Sequence, residues 1–426
     1  MKKSLFLLTL LMSALSAHAL NIPEIFSDHM MLQQQAEARL WGWAAPGNAV
    51  NVETSWDGKQ YTVKADKKTG RWDVKVNTPE ASYTAYTIKV TGDGTSVTLS
   101  DVLIGEVWFC SGQSNMEMPL AGFWNCPVEG ANETIAQSGR YRRSIRVATI
   151  PKTGADEPRQ QVAGRWEVCE PKNAGRFSAC AYYFAETLTD ILDVPVGIIN
   201  CSWGGSCVEG WLPKDTLLTY PDGLTPIDDT DYHAKMIMFN GMLAPLAGYT
   251  IKGFLWNQGE SNVGREKEYI DRFATMTRLW RKMWNQPEDC LSMYAVELPP
   301  YRYGDGIDGT SGADFRAAQH KIRKVLENYG CVCTSDLIYD YETDQIHGSK
   351  KHEIGQRLAY MAATRDYGVE GIVAEAPEFE YMEMTEASKD DQTVIAVRRS
   401  TLRTSAERWH SSSSPTPSMV STGCQE

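Results

Sequence analysis

Residues 105–116 read Gly105-Glu106-Val107-Trp108-Phe109-Cys110-Ser111-Gly112-Gln113-Ser114-Asn115-Met116. An apolar run typical of a buried strand ends there at a turn of small residues that carries a serine. In an open α/β sheet, ligands bind in the crevice beyond the carboxyl ends of the strands. Ser114 is therefore predicted to face a ligand, and it is the candidate nucleophile.

Three later segments have a related character. One is the strand-and-turn Phe254-Leu255-Trp256-Asn257-Gln258-Gly259-Glu260-Ser261-Asn262, another is Asn200-Cys201-Ser202-Trp203-Gly204-Gly205-Ser206, and the third is Asp344-Gln345-Ile346-His347. With the Gly-Gln-Ser-Asn turn, this ordered set resembles the motif blocks of the SGNH hydrolases, specifically the sialate O-acetylesterase and acetylxylan esterase branch. The ordered set is far more specific than an isolated Gly-x-Ser.

After Leu103, strands alternate with helical periodicity, which is typical of βαβ units around a largely parallel sheet. The resemblance implies an α/β fold of the SGNH-hydrolase (flavodoxin-like) kind, a three-layer domain over residues 104–370. Predicted strands are Val107–Cys110, Ile145–Thr149, Val196–Asn200, Gly253–Trp256, Met293–Glu297 and Cys331–Ser335. Predicted helices are Ala179–Leu192, Ala234–Leu246, Glu266–Trp284, Ala313–Asn328 and Ser349–Asp366.

The flanking regions differ from this pattern. Residues 1–19 have two lysines, an apolar run and a small-x-small site, which predict a secretory signal peptide and therefore export. Residues 20–103 alternate with period two between glycine turns and are predicted to form a β-sandwich leader domain. Residues 371–426 read as a partial β segment that becomes irregular from Arg398, so we expect a disordered tail, either natural or created by truncation or a frame shift.

Composition restricts the partners. The 42 basic and 54 acidic side chains give a net charge of −12, which disfavours nucleic acid and anionic membranes. No run approaches the length of a membrane span. Ten cysteines permit disulfides; Cys169 with Cys180 and Cys201 with Cys207 are conceivable pairs, and no spacing indicates a zinc site. Neither a metal nor an organic cofactor is expected.

A serine nucleophile needs a histidine within hydrogen-bond reach. His347 is the best candidate because a carboxylate, Asp344, precedes it by three residues on a predicted loop and could orient its ring. His233 remains possible. The predicted catalytic residues are Ser114, His347 and Asp344.

Backbone and side-chain donors should stabilise the oxyanion. The resemblance implies an oxyanion hole made by the N–H groups of Ser114 and Gly205, with Gly204 as a close second, and by the side chain of Gln258. Glu260 and Asn262 are expected to support the site, and Glu260 could orient the histidine in place of Asp344.

Together these features predict an exported serine esterase, periplasmic or extracellular, that removes O-acetyl groups from carbohydrate through an acetyl-enzyme. Its partner would be an O-acetylated sugar or glycan. The resemblance places sialic acids first as substrates. The alternatives are an esterase acting on acetylxylan or another polysaccharide, and a non-catalytic glycan-binding protein.

Overall fold

A computed structural model describes residues 20–287, 289–303, 310–376, 378–389 and 392–403. The predicted signal peptide, residues 1–19, and residues 404–426 of the predicted tail lie outside these ranges. The strands are β1 Met31–Gln33, β2 Glu37–Trp43, β3 Ala49–Thr54, β4 Gln60–Lys64, β5 Arg71–Asn77, β6 Ser82–Gly92, β7 Thr95–Gly112, β8 Ile145–Thr149, β9 Trp166–Val168, β10 Val196–Ser202, β11 Gly253–Asn257, β12 Ser292–Val296, β13 Tyr329–Val332, β14 Glu378–Lys389 and β15 Gln392–Arg403.

The larger part of the chain is built on a mixed sheet with the strand order β13-β12-β11-β7-β10-β8-β9. All neighbours from β13 to β8 pair in parallel, and only β9 is antiparallel. Chain connections leave β7 toward β8 on one side and later return to β11 on its other side. The carboxyl end of β7 is therefore the point where the strand order reverses, and such points are where open α/β sheets bind ligands.

Helices cover both faces of this sheet. Alternate residues of β7 point to opposite sides: Trp108 lies in one buried cluster with Phe184 and Leu358, whereas Phe109 lies in the other with Trp280. The α-helices are α1 Ser114–Glu117, α2 Ala131–Gln137, α3 Pro171–Ala174, α4 Ala179–Leu192, α5 Lys214–Leu217, α6 Glu266–Met283, α7 Ser311–Lys321 and α8 Lys351–Asp366. The α4 and α8 helices pack against each other on the Trp108 face.

Residues 20–103 form mainly antiparallel β structure that continues into the large sheet through the long strand β7, with which β1 pairs in parallel. Strands β4, β3, β6 and the first half of β7 pair in that order, while β2 pairs with β5. Both groups contribute to one buried cluster, which includes Trp41, Val52 and Trp72. The period-two pattern therefore correctly predicted strands here.

Two predicted helices were wrong in whole or in part. Residues 234–246 contain a π-helical turn at Phe239–Leu243 and a 3₁₀ turn at Ala244–Leu246 instead of an α-helix. Met236 has a φ of +62°, which is outside the α-helical region, and Pro245 has no N–H to donate, so a regular helix does not span the segment. The helix predicted at Ala313–Asn328 begins at Ser311 and ends at Lys321, followed by a 3₁₀ turn at Ile322–Lys324.

At the C-terminal end, β14 and β15 pair as an antiparallel hairpin. The sequence predicted irregular chain from Arg398, but β15 continues to Arg403. Backbone hydrogen bonds to β14 can form whatever the polarity of the side chains, so the loss of apolar periodicity did not end the strand.

The disulfides considered from the sequence do not form. Cys169, Cys180, Cys201 and Cys207 are free, buried thiols. Burial raises the pKa of each of these thiols, so they behave as small buried hydrophobic side chains.

Candidate active site

Ser114 lies directly beyond the carboxyl end of β7, as the sequence predicted, and it is the first residue of the short helix α1. The turn before it depends on Gly112, where φ is +136° and a Cβ would lie 2.1 Å from the Asn257 carbonyl oxygen. Glycine permits β7 and β11 to approach this closely. The Gln113 N–H then donates to the same carbonyl at 2.9 Å, which fixes the turn that presents Ser114.

His347 lies on the loop before α8, and the protein surrounds its ring. The ring packs edge-on against Phe123 at 5.2 Å between centroids, and Nδ1 is 3.9 Å from the Cys126 sulfur. Its Nε2 atom is buried and has no hydrogen-bond partner among the described residues. Burial and, next, the positive charge of Lys351 lower the pKa of His347 to about 4. The imidazole is therefore neutral at ordinary pH, with a nitrogen free to accept a proton.

Ser114 and His347 are brought together through their neighbours. The Asn115 side-chain amide donates to the Ile346 carbonyl at 3.0 Å, which joins the residue after the serine to the residue before the histidine. In the described ranges no direct hydrogen bond links the Ser114 hydroxyl to His347. Catalytic hydrogen bonds are often long in enzymes without substrate, so the missing bond does not exclude Ser114 and His347 as a catalytic pair.

Asp344 does not occupy the predicted position against the histidine. Its side chain is 71% exposed and pairs with Arg302, with 3.3 Å between Oδ1 and Nε. Gln345 instead bonds the histidine backbone, accepting from the His347 N–H at 3.3 Å. The local turn thus directs the Asp344 carboxylate to solvent, and its orienting role stays a prediction that these contacts do not support.

Glu260 lies at the buried end of the site. One carboxylate oxygen accepts from the Asn115 amide at 2.5 Å, and burial raises the pKa of the carboxyl group. Glu260 therefore acts on the histidine segment through Asn115, which in turn bonds the Ile346 carbonyl. These contacts agree with a supporting role and do not place Glu260 directly on the imidazole.

The loop after β10 carries Gly204 and Gly205 and is called the glycine loop. It lies next to Ser114, the candidate nucleophile. A Cβ on Gly204 would be 3.4 Å from the Ser114 Cβ, and the Gly204 N–H donates to Glu117 at 2.5 Å. Gly205 has φ of +81°, and within the described chain its N–H donates to no other group. Because the Gly204 N–H is already occupied, Gly205 is the better candidate for an oxyanion donor.

Gln258 is fully buried and forms a hydrogen bond to the glycine loop. Its amide nitrogen donates to the Ser206 carbonyl at 3.0 Å and to the Asn262 side chain at 2.7 Å. Both amide hydrogens are thus used within the protein, which departs from the predicted role as a direct oxyanion donor. Asn262 continues the network by donating to the buried Glu209 at 3.0 Å. Gln258 and Asn262 therefore brace the glycine loop.

His233 remains close enough to the loop to stay an alternative base. Its Nδ1 is 2.6 Å from Asp228, and its ring contacts that of Tyr232 at 4.7 Å between centroids. Tyr232 in turn lies against Gly205, since a Cβ there would be 2.7 Å from the tyrosine ring. His233 is thus two contacts away from the glycine loop.

Sequence reasoning assigned no role to several residues that shape the site. Asn115 belongs to the first motif, and Lys351 follows His347 by four residues. Neither position in the sequence reveals that the Asn115 and Lys351 side chains meet. Glu117, which occupies the Gly204 N–H, and Phe123, which covers the histidine, gave no recognisable signal.

A serine at the switch point of a mostly parallel sheet, joined through Asn115 to the loop of a neutral histidine and next to a loop with a glycine N–H that donates to no described group, is an arrangement that serine hydrolases use. The family described as "SASA: Carbohydrate esterase, sialic acid-specific acetylesterase" matches residues 104–364, and the chain belongs to this family.

Individual relatives agree with this membership. The chain is 27% identical over 399 residues to the sialate O-acetylesterase of Pongo abelii and 26% over 398 residues to that of Homo sapiens; each match covers 84% of this chain and 73% of the relative. The crystal structure of a carbohydrate acetylesterase from Xanthomonas citri is similar with a TM-score of 0.77 and 31% identity, covering 86% of this chain and 80% of the other.

Proposed function

We propose that this protein is a serine esterase that removes O-acetyl groups from carbohydrate, with acetylated sialic acids as the first substrates to test. Family membership and the sialate O-acetylesterases among its relatives support the reaction class. The observation that best supports Ser114 and His347 as the reacting residues is the hydrogen bond from Asn115 to the Ile346 carbonyl. It joins the turn that carries Ser114 to the loop that carries His347.

In the proposed reaction, the Ser114 hydroxyl oxygen attacks the acetyl carbonyl carbon while His347 Nε2 takes the hydroxyl proton. The carbonyl π electrons move to oxygen, and the N–H groups of Ser114 and Gly205 donate to that oxyanion. Collapse breaks the bond to the sugar oxygen, which leaves with the proton from His347. A water deprotonated by His347 then attacks the carbonyl carbon of the acetyl-enzyme, the bond to the Ser114 oxygen breaks as that oxygen takes the proton back from His347, and acetate is released.

We also propose roles for the other residues of the site. Asp344 would have to turn from Arg302 to reach His347, and Gln258 would have to release Ser206 or Asn262 to donate to the oxyanion. Glu260 and Asn262 support the site in this proposal through the contacts described above. His233 is the alternative base. Replacing it with glutamine should leave turnover intact if His347 is the catalytic base.

We propose that residues 104–370 are an SGNH-type domain, supported by helices on both faces of a mostly parallel sheet, and that residues 20–103 form a β-sandwich leader. Export to the periplasm or cell exterior rests on residues 1–19 alone. Within the described ranges, no helix combines the length and apolar character that crossing a bilayer requires.

The test compares acetate release by the parent and by Ser114→Ala from an aryl acetate, acetylated sialic acid and acetylated xylan. We expect the parent to release acetate and the variant to lose this activity, with acetylated sialic acid preferred. A preference for acetylated xylan would move the substrate to plant polysaccharide. A folded parent that binds glycan but releases no acetate would support the binding protein instead.

A further inference from the structure

Lys351 is a buried charged side chain that the proposed reaction does not use. It is the first residue of α8, four positions after His347, and it is 1% exposed. Lysines are rarely buried without a direct carboxylate partner, yet this ammonium group donates to a neutral amide, the Asn115 Oδ1, at 2.6 Å. Its placement beneath the nucleophile turn therefore calls for a functional reason.

The ammonium group determines which way the Asn115 amide points. A lysine has only hydrogens to donate, so the amide oxygen must face Lys351 and the amide nitrogen must face away. That nitrogen donates to the Glu260 carboxylate at 2.5 Å and to the Ile346 carbonyl at 3.0 Å. With the amide reversed, both of these acceptors would face an oxygen. Lys351 thereby fixes the contact that holds the His347 loop against the serine turn.

The same charge also acts on the imidazole. Lys351 is buried and His347 is partly buried, so the two charges would be less screened than in water. The lysine charge disfavours a second positive charge on His347. The groups that face Lys351 from neighbouring elements are the carboxylates Glu260 and Glu342 and the thiols Cys180 and Cys126. Burial lowers the pKa of Lys351 to about 8 despite these groups, so it is still largely charged at neutral pH.

We propose that Lys351 is a positioning residue: its ammonium group fixes the Asn115 amide that holds the His347 loop against the serine turn, and its positive charge acts on the His347 ring. This inference rests on the proposed function of His347 as the catalytic base. Lys351 does not touch the reacting atoms; it acts through Asn115 and through its charge.

Three substitutions separate the two effects. Lys351→Met removes both charge and donor, Lys351→Gln keeps a donor without charge, and Lys351→Arg keeps both. Arg146→Met is the matched control, because Arg146 is also a buried cation, 3% exposed, but lies near the amino end of β8 and pairs with Asp101. That end of the sheet is opposite the one that carries Ser114.

The primary readout is the pKa of His347, followed by NMR of ¹³C-labelled histidine and assigned by the signal lost in His347→Gln. We expect Lys351→Met and Lys351→Gln to raise this pKa by about one unit, as removal of a nearby like charge does, and Lys351→Arg and Arg146→Met to leave it in place. The acid limb of kcat/KM should move by the same amount. If Lys351→Met does not fold, Lys351→Gln and Lys351→Arg still give the comparison.

An unchanged His347 titration in a folded Lys351→Gln protein would overturn the proposal. So would equal shifts in Lys351→Gln and Arg146→Met, since these would indicate a general response to losing a buried cation. The titration needs no turnover. A parent that hydrolyses no acetyl ester would therefore refute the proposed function while the NMR result still decides the role of Lys351.

Discussion

The dependence of kcat/KM on pH is the consequence of the site that can be worked out most quantitatively. Because burial and Lys351 lower the pKa of His347 to about 4, the imidazole should stay unprotonated, and so able to accept a proton, well below pH 7. At pH 5 a histidine with that pKa is about nine-tenths neutral, whereas one at the ordinary value of about 6.5 is only about 3% neutral. We therefore expect kcat/KM to change little between pH 7 and pH 5.

The assay is acetate release from an uncharged acetyl ester in a pH-stat, so that neither substrate ionisation nor a chromophore affects the profile. Folding must be checked by circular dichroism at each pH. The depressed pKa means that the unfolded chain binds more protons between pH 6.5 and 4, so stability falls as pH falls through that window. A folded enzyme whose kcat/KM is half-maximal near pH 6.5 would refute the reasoning.

Three substitutions probe the loop that faces the nucleophile. Gly205→Ala should lower kcat by at least about 10²-fold, because φ is +81° and the new Cβ would meet the Tyr232 ring at 2.7 Å, so the loop must shift and move its N–H away from the oxyanion; activity within a few-fold of the parent would contradict this displacement. Gln258→Ala should cost about 10² to 10³ in kcat if its amide reaches the oxyanion, and unchanged turnover would limit it to bracing the loop. Glu209→Gln should destabilise the fold by about 1–3 kcal/mol in urea unfolding, because a neutral amide replaces a fully buried carboxylate that pairs with Arg265 and Arg272; an unchanged unfolding midpoint would contradict this.

Local patterns in the sequence were sufficient to predict much of the framework. The helix at Ala179–Leu192 and the strand at Ile145–Thr149 have the predicted bounds, because each combines a clear apolar period with definite ends. The turn of small residues after β7 likewise made it possible to predict that Ser114 lies at a strand end. The helix predicted at Ala234–Leu246 was wrong because an apolar period reveals neither the positive φ of Met236 nor the missing backbone donor of Pro245.

The site was less predictable because its contacts join distant parts of the chain. Asn115 and Lys351 are 236 residues apart, and no local spacing indicates that they meet. Asp344 was assigned from its three-residue separation from His347, but a short separation does not fix the direction of a side chain on an exposed loop. Long-range packing decides which polar groups converge, and a single sequence does not contain that information in readable form.

The most direct test of the account is to locate the covalent intermediate. The parent is mixed with an aryl acetate, quenched in acid during turnover, digested and analysed by mass spectrometry, with Ser114→Ala treated in parallel. We predict an acetyl group on the peptide that contains Ser114 in the parent and none on that peptide in the variant. An acetyl group on a different residue, or turnover that persists in Ser114→Ala, would contradict the assignment of Ser114 as the nucleophile.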